Sequence, residues 1–569
     1  MVGEMTETSD EGRADWWRER ELLLILLLAI LTLCVRLDAL PLFGEEPRRA
    51  LIAREMVETG DWLVPGTQRV FLPSRPPLQN WLIACAALMT GGFDIWAVRI
   101  PSVISTFLIA ILIYGYLRQL MGVLGSLGGA VSFLTMTMVM EFGRSAETEA
   151  VFSLFVAASM LIWHGAWIKK WPAWQMWSLG YGFAALGMLT KGLQAPLYFV
   201  GATTLFLLVT GNWRVLLTRG HAIGILVFVA VLGAWQGPFT WQRGIADSWN
   251  IYFGDVAGRF GDRKWSVFLE HLVVFPCELL FVRLMPWSIL LLAFGNRRVR
   301  EFVGHQREAA LFLTICILFS FISVWLPPGS KVRYYMPLFP CFAALVGIAI
   351  DRLAVLRKDA VGFDLWKFYI GLMTRLMVGS AIVIVAASLA IPTWRFTLTL
   401  VSAIGYAIAA LALARIAWKT SKESSDPAMI RGMLSVAGFL VLVQVSLVVT
   451  VQQRRCEDIT GQIDKLKQDL PADANLVSFD SIHHAFVFFY GRQVPIVPLP
   501  TSENPGDIDY FCLHTYDSDP PKLPFEWTEI AVISCDRFKG RAIPKDRVFV
   551  GRIRPISHTG MTGTNTSVE

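Results

Sequence analysis

The sequence predicts a polytopic α-helical membrane protein with about thirteen transmembrane helices and a small C-terminal soluble α/β domain. Of the 569 residues, 54% are hydrophobic and 17% are charged, whereas a soluble protein carries nearer a quarter charged residues. Apolar segments of about twenty residues, the length that crosses a bilayer, recur as far as residue 452. The remaining sequence is less apolar and separates short strand-like runs with turn residues, which indicates a soluble domain.

Thirteen apolar segments are predicted to cross the membrane. They lie at 22–41, 99–117, 124–142, 150–168, 174–190, 193–211, 221–240, 276–295, 309–327, 335–350, 376–392, 396–417 and 432–452. The first apolar run lacks a small-residue cleavage site, so we expect a retained anchor rather than a signal peptide. The segment at 78–91 is shorter, and we predict that it forms an interfacial helix.

The distribution of basic residues supports this count. With the N-terminus in the cytoplasm, the clusters of Lys and Arg between spans fall on the inner side, as the positive-inside rule requires. A further span at 78–91 would place all the later clusters outside. The thirteen-span topology is therefore preferred.

This topology divides the chain into four parts. They are a cytoplasmic N-terminal segment (1–21), a membrane core (22–350) with outer loops at 42–98 and 241–275, additional transmembrane helices (351–452) and a soluble domain on the outer side (453–569). Strands are predicted in the soluble domain at Leu476–Phe479, Phe486–Tyr490, Tyr510–Leu513, Ile530–Ser534 and Val548–Arg552.

The charged segment that follows the first span is the strongest functional signal. Between Glu45 and Met56 it holds three carboxylates and three guanidinium groups, which are costly beside a bilayer unless they face water or a charged ligand. Pro47 suits a first helical position and Gly60 suits a helix end. We therefore predict a surface helix over 47–59 that holds Glu45 at its N-terminal end.

Further charged residues stand at span edges that the topology places on the outer face. Cations there could bind a lipid-linked phosphate, and the candidates are Arg75, Lys191, Arg259, Lys331 and Arg333. A carboxylate could orient or deprotonate an acceptor hydroxyl, and the candidates are Glu45 and Glu149. The eight Cys and the scattered His show no metal-binding spacing.

Simpler roles for these residues stay open at this point. A Lys or Arg at the edge of a span can extend to lipid head groups without binding substrate. Glu149 could form a local ion pair with Arg144. Glu45 and Glu46 could complement the helix dipole of the 47–59 helix.

An ordered series of motifs runs between about residues 20 and 350. It comprises Glu45–Met56 with Thr59–Pro65, Arg75-Pro-Pro-Leu-x-x-Trp81, Ala97-Val-Arg-Ile-Pro101, Arg144-x-Ala-x-Thr-Glu149, Leu189-Thr-Lys-Gly192, Gly258-Arg-Phe260, Met285-Pro-Trp-Ser288 and Ser330-Lys331 with Tyr334, Tyr335 and Pro337. In this order the motifs resemble the bacterial aminoarabinose transferases of lipid A, which are related to the protein O-mannosyltransferases of the GT-C fold.

The resemblance implies an inner-membrane inverting glycosyltransferase. Such an enzyme moves a sugar from a polyprenyl-phosphate donor to a lipid A-like or protein acceptor on the periplasmic side, without a nucleotide sugar. It implies catalytic roles for Glu45 and Glu149, and donor-phosphate binding by Arg75, Lys191, Arg259, Lys331 and Arg333. Supporting residues are Glu46, Arg48, Arg54, Tyr334 and Tyr335. No cofactor is predicted, and a divalent metal stays open.

Several positions depart from the family pattern. Glu45 and Glu149 stand where the family usually has Asp, and Arg75 stands where it has Lys. A carboxylate one methylene longer is displaced by about 1.5 Å, so we favour a different substrate from that of the relatives. Two alternatives are a flippase or transporter of lipid-linked sugar, and a non-catalytic relative that binds lipid-linked glycan.

Overall fold

The computed structural model describes residues 19–72, 75–257, 265–327, 330–358, 360–391, 398–500, 508–517, 519–539 and 546–554. Arg259 and its motif therefore lie outside the described residues. The chain forms two compact units. The first comprises Met1–Leu40, Ile52–Gly66 and Phe71–Arg454, and the second comprises Pro41–Leu51, Thr67–Val70 and Arg455–Glu569.

Helices account for nearly all of the regular structure up to residue 455. In chain order they are α1 (19–29), α2 (Glu46–Thr59), α3 (Leu78–Thr90), α4 (Ile95–Leu117), α5 (Val123–Thr135), α6 (Thr137–Phe142), α7 (Glu149–Ile168), α8 (Ala173–Lys191), α9 (Gln194–Val209), α10 (Arg219–Ala257), α11 (Trp265–Glu278), α12 (Ser288–Leu291), α13 (Gln306–Trp325), α14 (Phe339–Val355), α15 (Ala360–Ala390), α16 (Leu400–Thr420), α17 (Asp426–Leu442) and α18 (Val449–Arg455). Two short strands, β1 (Gly66–Thr67) and β2 (Val70–Phe71), pair with each other.

Nine helical segments in the described part of the chain are long and apolar enough to cross a membrane. They are Ile95–Leu117, Glu149–Ile168, Arg219–Gly254, Trp265–Arg283, Gln306–Trp325, Val332–Val355, Gly362–Ala390, Leu400–Thr420 and Asp426–Arg455. Three shorter apolar helices are α3, α5 and α9. The helix predicted over 47–59 is observed as α2, and Gly60 ends it with φ 75° and an N–H that donates to Met56.

The bounds predicted for the span at 276–295 differ from those of the observed helix, which is Trp265–Arg283. The apolar helix there begins at Trp265, continues through a π-helical turn at Leu279–Arg283, and is followed by the short α12. Arg283 ends this helix in a pair of ion pairs, with Glu278 at 2.8 Å and Glu141 at 2.9 Å. Hydropathy alone did not locate this end, because its charge is neutralised by Glu141 on a distant segment.

Two helices run into the predicted outer loop at 241–275. Helix α10 continues to Ala257 across a non-helical residue at Gly244, where φ is 86°, and α11 begins at Trp265. A helix interrupted by glycine in a positive-φ conformation keeps both halves helical while changing their direction. The described part of this segment is therefore mainly helical.

Helices α5 and α14 approach closely through paired glycines. A methyl group on Gly347 would lie 2.6 Å from the carbonyl oxygen of Gly125, and one on Gly125 would lie 2.8 Å from that of Gly347. Small residues at such crossings let helix backbones pack directly in a membrane. This contact lies within the large buried core of the first unit.

The second unit contains a four-stranded sheet. Its strands are β3 (Leu476–Ser478), β4 (Tyr510–Thr515), β5 (Trp527–Ser534) and β6 (Arg547–Ile553), in the order β3-β4-β6-β5. β3 is parallel to β4, and the other two pairings are antiparallel. Two helices accompany the sheet, α19 (Ile459–Asp469) and α20 (His484–Tyr490).

The strand predicted at Phe486–Tyr490 is wrong, since these residues form α20. His483 caps the helix by accepting the N–H of Ala485 at 3.3 Å, and Gly491 ends it with φ 78°. A short, continuously apolar run fits a buried helix as well as a buried strand. Here the cap residues His483 and Gly491 decide for the helix.

Replacing Gly347 with Ala is expected to destabilise the first unit by about 1–3 kcal/mol, because the added methyl group must displace the backbone of α5. The measurement is thermal unfolding of the purified protein in detergent. The control is Gly371→Ala in α15, where an added methyl group meets nothing within 4 Å. Equal transition temperatures for the two variants would contradict the glycine-dependent crossing.

Candidate functional site

A buried ion pair joins the ends of α7 and α8. Lys191, the last residue of α8, places Nζ 2.9 Å from Oε1 of Glu149, the first residue of α7. Both side chains are almost fully buried. A carboxylate at a helix N-terminus and a cation at a helix C-terminus each complement the helix dipole. Gly192, with φ 117°, ends α8 and so fixes where Lys191 stands.

Arg333 extends this pair into a network. It lies in the short 3-10 helix Val332–Leu338, and its Nη1 is 2.8 Å from Oε1 of Glu147 while its Nε is 3.4 Å from Oε1 of Glu149. Glu147 is buried and was not among the predicted site residues. Its signal in the sequence is the pair of acids flanking Thr148 directly before an apolar helix.

Two further predicted cations are Arg75 and Lys331. Nη1 of Arg75 donates to the carbonyl oxygen of Lys191 at 3.3 Å, and its charge interacts with Glu149. Lys331 is exposed and stands two residues before Arg333. Arg75 therefore adjoins the pair of Lys191 and Glu149, and Lys331 is linked to the network through its place in the chain.

The two predicted tyrosines have different surroundings. The ring of Tyr334 lies 4.3 Å from Nζ of Lys191, a cation–π contact that leaves the ammonium group between carboxylate and ring. Tyr335 is fully buried and stacks on Phe321 with ring centres 5.0 Å apart. Tyr334 therefore belongs to the network, whereas Tyr335 packs within the aromatic core.

Arg99 and Arg144 act on backbone rather than on Glu149. Arg144 donates to the carbonyl oxygen of Val35 at 2.9 Å, and Arg99 donates to those of Leu37 at 2.6 Å and Leu40 at 3.1 Å. Both arginines are buried. These hydrogen bonds hold residues 35–40, which precede Glu45 in the chain. Glu149 pairs with Lys191 and Arg333 instead of Arg144.

Glu45 belongs to the second unit. Its Oε2 pairs with Arg48 and lies 3.5 Å from Arg49, yet 34% of its side chain stays exposed. Glu46 is buried and accepts the N–H of Phe43 at 3.2 Å, which closes the first turn before α2. The Glu45 carboxylate is therefore fixed by cations and still accessible to a substrate.

The other predicted site residues take separate positions. Arg54, which the division of the chain assigns to the first unit, lies 5.6 Å from the ring centre of Phe93. Arg259 lies outside the described residues. Within the ranges that the structure describes, no group of three or more His, Cys, Asp or Glu side chains is arranged to hold a metal ion.

Known membrane transferases share part of this sequence and its fold. Residues 74–235 match the family model described as dolichyl-phosphate-mannose-protein mannosyltransferase. A crystal structure of ArnT from Cupriavidus metallidurans bound to undecaprenyl phosphate superimposes with a TM-score of 0.68, covering 94% of this chain and 98% of that chain at 16% identity. The chain has the fold of this transferase. The apolar helices and this fold describe a multipass membrane protein.

Curated relatives are similar over part of their length. An undecaprenyl phosphate-alpha-4-amino-4-deoxy-L-arabinose arabinosyl transferase from Pseudomonas aeruginosa is 28% identical over 320 residues, which is 54% of this chain and 55% of the relative. A protein of the same name from Edwardsiella ictaluri is 26% identical over 319 residues, with the same coverage. The chain thus spans about half the length of the curated relatives it matches. The predicted resemblance to aminoarabinose transferases is confirmed.

Replacing Lys191 with Met is expected to lower the free energy of unfolding by about 3 kcal/mol, because the buried Glu149 carboxylate loses its nearest cation. Unfolding in detergent, followed by circular dichroism, measures the loss. The matched control is Lys419→Met, since Lys419 is exposed. The double variant Lys191→Met/Glu149→Leu should recover part of the loss, and strictly additive effects would contradict a coupled pair.

Proposed function

We propose that this chain is an inverting glycosyltransferase that moves a sugar from a polyprenyl-phosphate donor to a lipid A-like or protein acceptor. The observation that carries the proposal is the buried network of Lys191 and Arg333 with Glu147 and Glu149. Cations held rigidly at the ends of apolar helices suit the phosphate of a lipid-linked sugar, because they need no rearrangement when it binds. The similarity to aminoarabinose transferases supports the same class of reaction.

The proposed chemistry is a single displacement at the anomeric carbon. The acceptor oxygen forms its bond to this carbon as the bond to the donor phosphate oxygen breaks, and polyprenyl phosphate leaves with the bonding electrons. The leaving phosphate gains negative charge, which Arg75, Lys191, Lys331 and Arg333 stabilise in the transition state. Arg259 is given the same role by resemblance alone.

The two glutamates take different parts in this proposal. Glu45 orients or deprotonates an acceptor hydroxyl, and its partly exposed carboxylate suits that role. A phosphate acceptor is already ionised and needs no base, so Glu45 would then orient the sugar. Glu149, which pairs with both Lys191 and Arg333, acts by holding these cations. Glu46 and Arg48 support Glu45, and Tyr334 supports Lys191.

The proposed setting is the bacterial inner membrane with the active site on the periplasmic side. Thirteen spans, a catalytic core over 22–350, additional helices over 351–452 and a periplasmic domain over 453–569 follow from the charge distribution. The proposed partners are the polyprenyl-phosphate-linked sugar, the acceptor and membrane lipids.

The proposal is tested with the purified protein and a panel of undecaprenyl-phosphate sugars, using a native lipid and protein extract as acceptor. Mass spectrometry measures released undecaprenyl phosphate. We expect acceptor-dependent release from at least one donor, and a loss of about a hundredfold or more in Glu45→Gln. Glu58→Gln, an exposed position near the C-terminal end of the same helix, is the matched control and should keep wild-type activity.

Two outcomes would contradict the proposal. Donor binding without release by the wild-type protein would favour a non-catalytic, glycan-binding relative. Movement of intact lipid-linked sugar across a vesicle bilayer, again without release of undecaprenyl phosphate, would favour a flippase.

A further inference from the structure

The segment that carries Glu45 is part of the C-terminal compact unit. Residues Pro41–Leu51 and Thr67–Val70 cluster with Arg455–Glu569 rather than with the helices on either side of them in the chain. A contact between residues so distant in sequence costs loop-closure entropy. Specific interactions must therefore hold these two segments to the C-terminal domain.

The first such interaction is between Arg537 and Phe43. The guanidinium carbon of Arg537 lies 3.7 Å from the ring centre of Phe43, which is a close cation–π contact. Arg537 is itself fixed, because its carbonyl oxygen accepts the N–H of Glu457 at 3.2 Å. Its guanidinium group also lies 4.9 Å from the ring centre of Phe538.

Phe43 connects the Arg537 contact with Glu45, whose carboxylate lies two residues later in the chain. Its backbone N–H donates to the buried Glu46, so residues 43 to 46 form one closed turn. Glu45 lies within that turn and pairs with Arg48 and Arg49. A change at Phe43 therefore moves the backbone that carries Glu45.

His484 lies within electrostatic range of the charges on the same segment. Burial and the charge of Arg48 lower the pKa of His484 to about 4, and Arg49 acts in the same direction while Glu45 opposes it. The side chain is therefore neutral near pH 7 and does not compete with the arginines for Glu45. His484 is the first residue of α20, so this charge interaction involves the N-terminal end of that helix.

The Thr67–Val70 segment is also held by a residue of the C-terminal domain. Nε2 of Gln68 donates to the carbonyl oxygen of Val494 at 2.7 Å. Gln68 and Arg69 form the two-residue loop of the β1–β2 hairpin, and both have the positive φ values, 54° and 61°, that a type I′ turn requires. The C-terminal domain therefore constrains both segments of the first outer loop.

We infer that the C-terminal domain supplies positioning residues for the proposed reaction, with Arg537, through Phe43, fixing the place of the Glu45 carboxylate. This inference rests on the proposed function. It gives the domain a role in catalysis that involves no contact with the reacting atoms. Since displacement of a reacting group by about 1 Å can cost about a hundredfold in rate, release of Phe43 should reduce turnover while leaving donor binding intact.

The test compares Arg537→Gln, Glu45→Gln and the double variant in the full-length protein. We expect Arg537→Gln to lower kcat about tenfold to a hundredfold with the KM for donor unchanged, and to cause no further loss in the Glu45→Gln background. Phe43→Leu, which removes the ring and keeps an apolar side chain, should give the same kcat effect. Arg552→Gln is the matched control, because Arg552 is exposed in the same domain and lies 5.6 Å from the ring centre of Tyr510.

Hydrogen exchange gives a readout that does not need transfer activity. Amides 43–51 should exchange faster in Arg537→Gln and Phe43→Leu than in the wild type, with no change in α4 or α7. If Arg537→Gln lowered kcat by the same factor in the wild-type and the Glu45→Gln backgrounds, the inference would be overturned. Unchanged exchange at amides 43–51 would overturn it as well. A wild-type protein without transfer activity would refute the proposed function. If the variants still showed faster exchange at 43–51, the contact between Arg537 and Phe43 would stand.

Discussion

The buried pairing of Lys191 with Glu149 is the interaction on which the candidate site depends. Charges of this kind are stable inside a protein only when each is neutralised and held in good geometry. Here α7 and α8 bring the two side chains together at 2.9 Å, and Arg333 joins from a separate short helix with Glu147 as its own partner. One set of ion pairs therefore holds three helix ends together, namely the start of α7, the end of α8 and the start of the 3-10 helix that carries Arg333.

That link explains how an apolar bundle can present fixed cations. Lys191 and Arg333 cannot extend freely towards lipid head groups, because carboxylates and the ring of Tyr334 hold them. Arg75 is half-buried and Lys331 is exposed. The Glu45 turn is fixed independently, by Arg48, Arg49 and the contacts of the C-terminal domain.

The sequence allowed the helices and most C-terminal strands to be predicted, because apolar length and short-range alternation are local signals. It did not locate the helix ending at Arg283, whose charge is neutralised by Glu141 on a distant segment. Lys191 and Arg333 could be selected from their places at span edges. Glu147 has the signal of two acids flanking Thr148 before an apolar helix, whereas Arg537 has none, because its importance depends on a contact between residues far apart in the chain.

The most direct test of the account is the affinity for undecaprenyl phosphate, measured by titration into protein reconstituted in nanodiscs. Arg75→Gln removes one proposed phosphate-binding cation and keeps the side chains of Lys191, Glu149 and Arg333, which pair with one another. The account predicts a loss of affinity of about tenfold or more in this variant, and wild-type affinity in Lys419→Gln. Equal affinities for wild type and Arg75→Gln would contradict the assignment of this cluster to the donor phosphate.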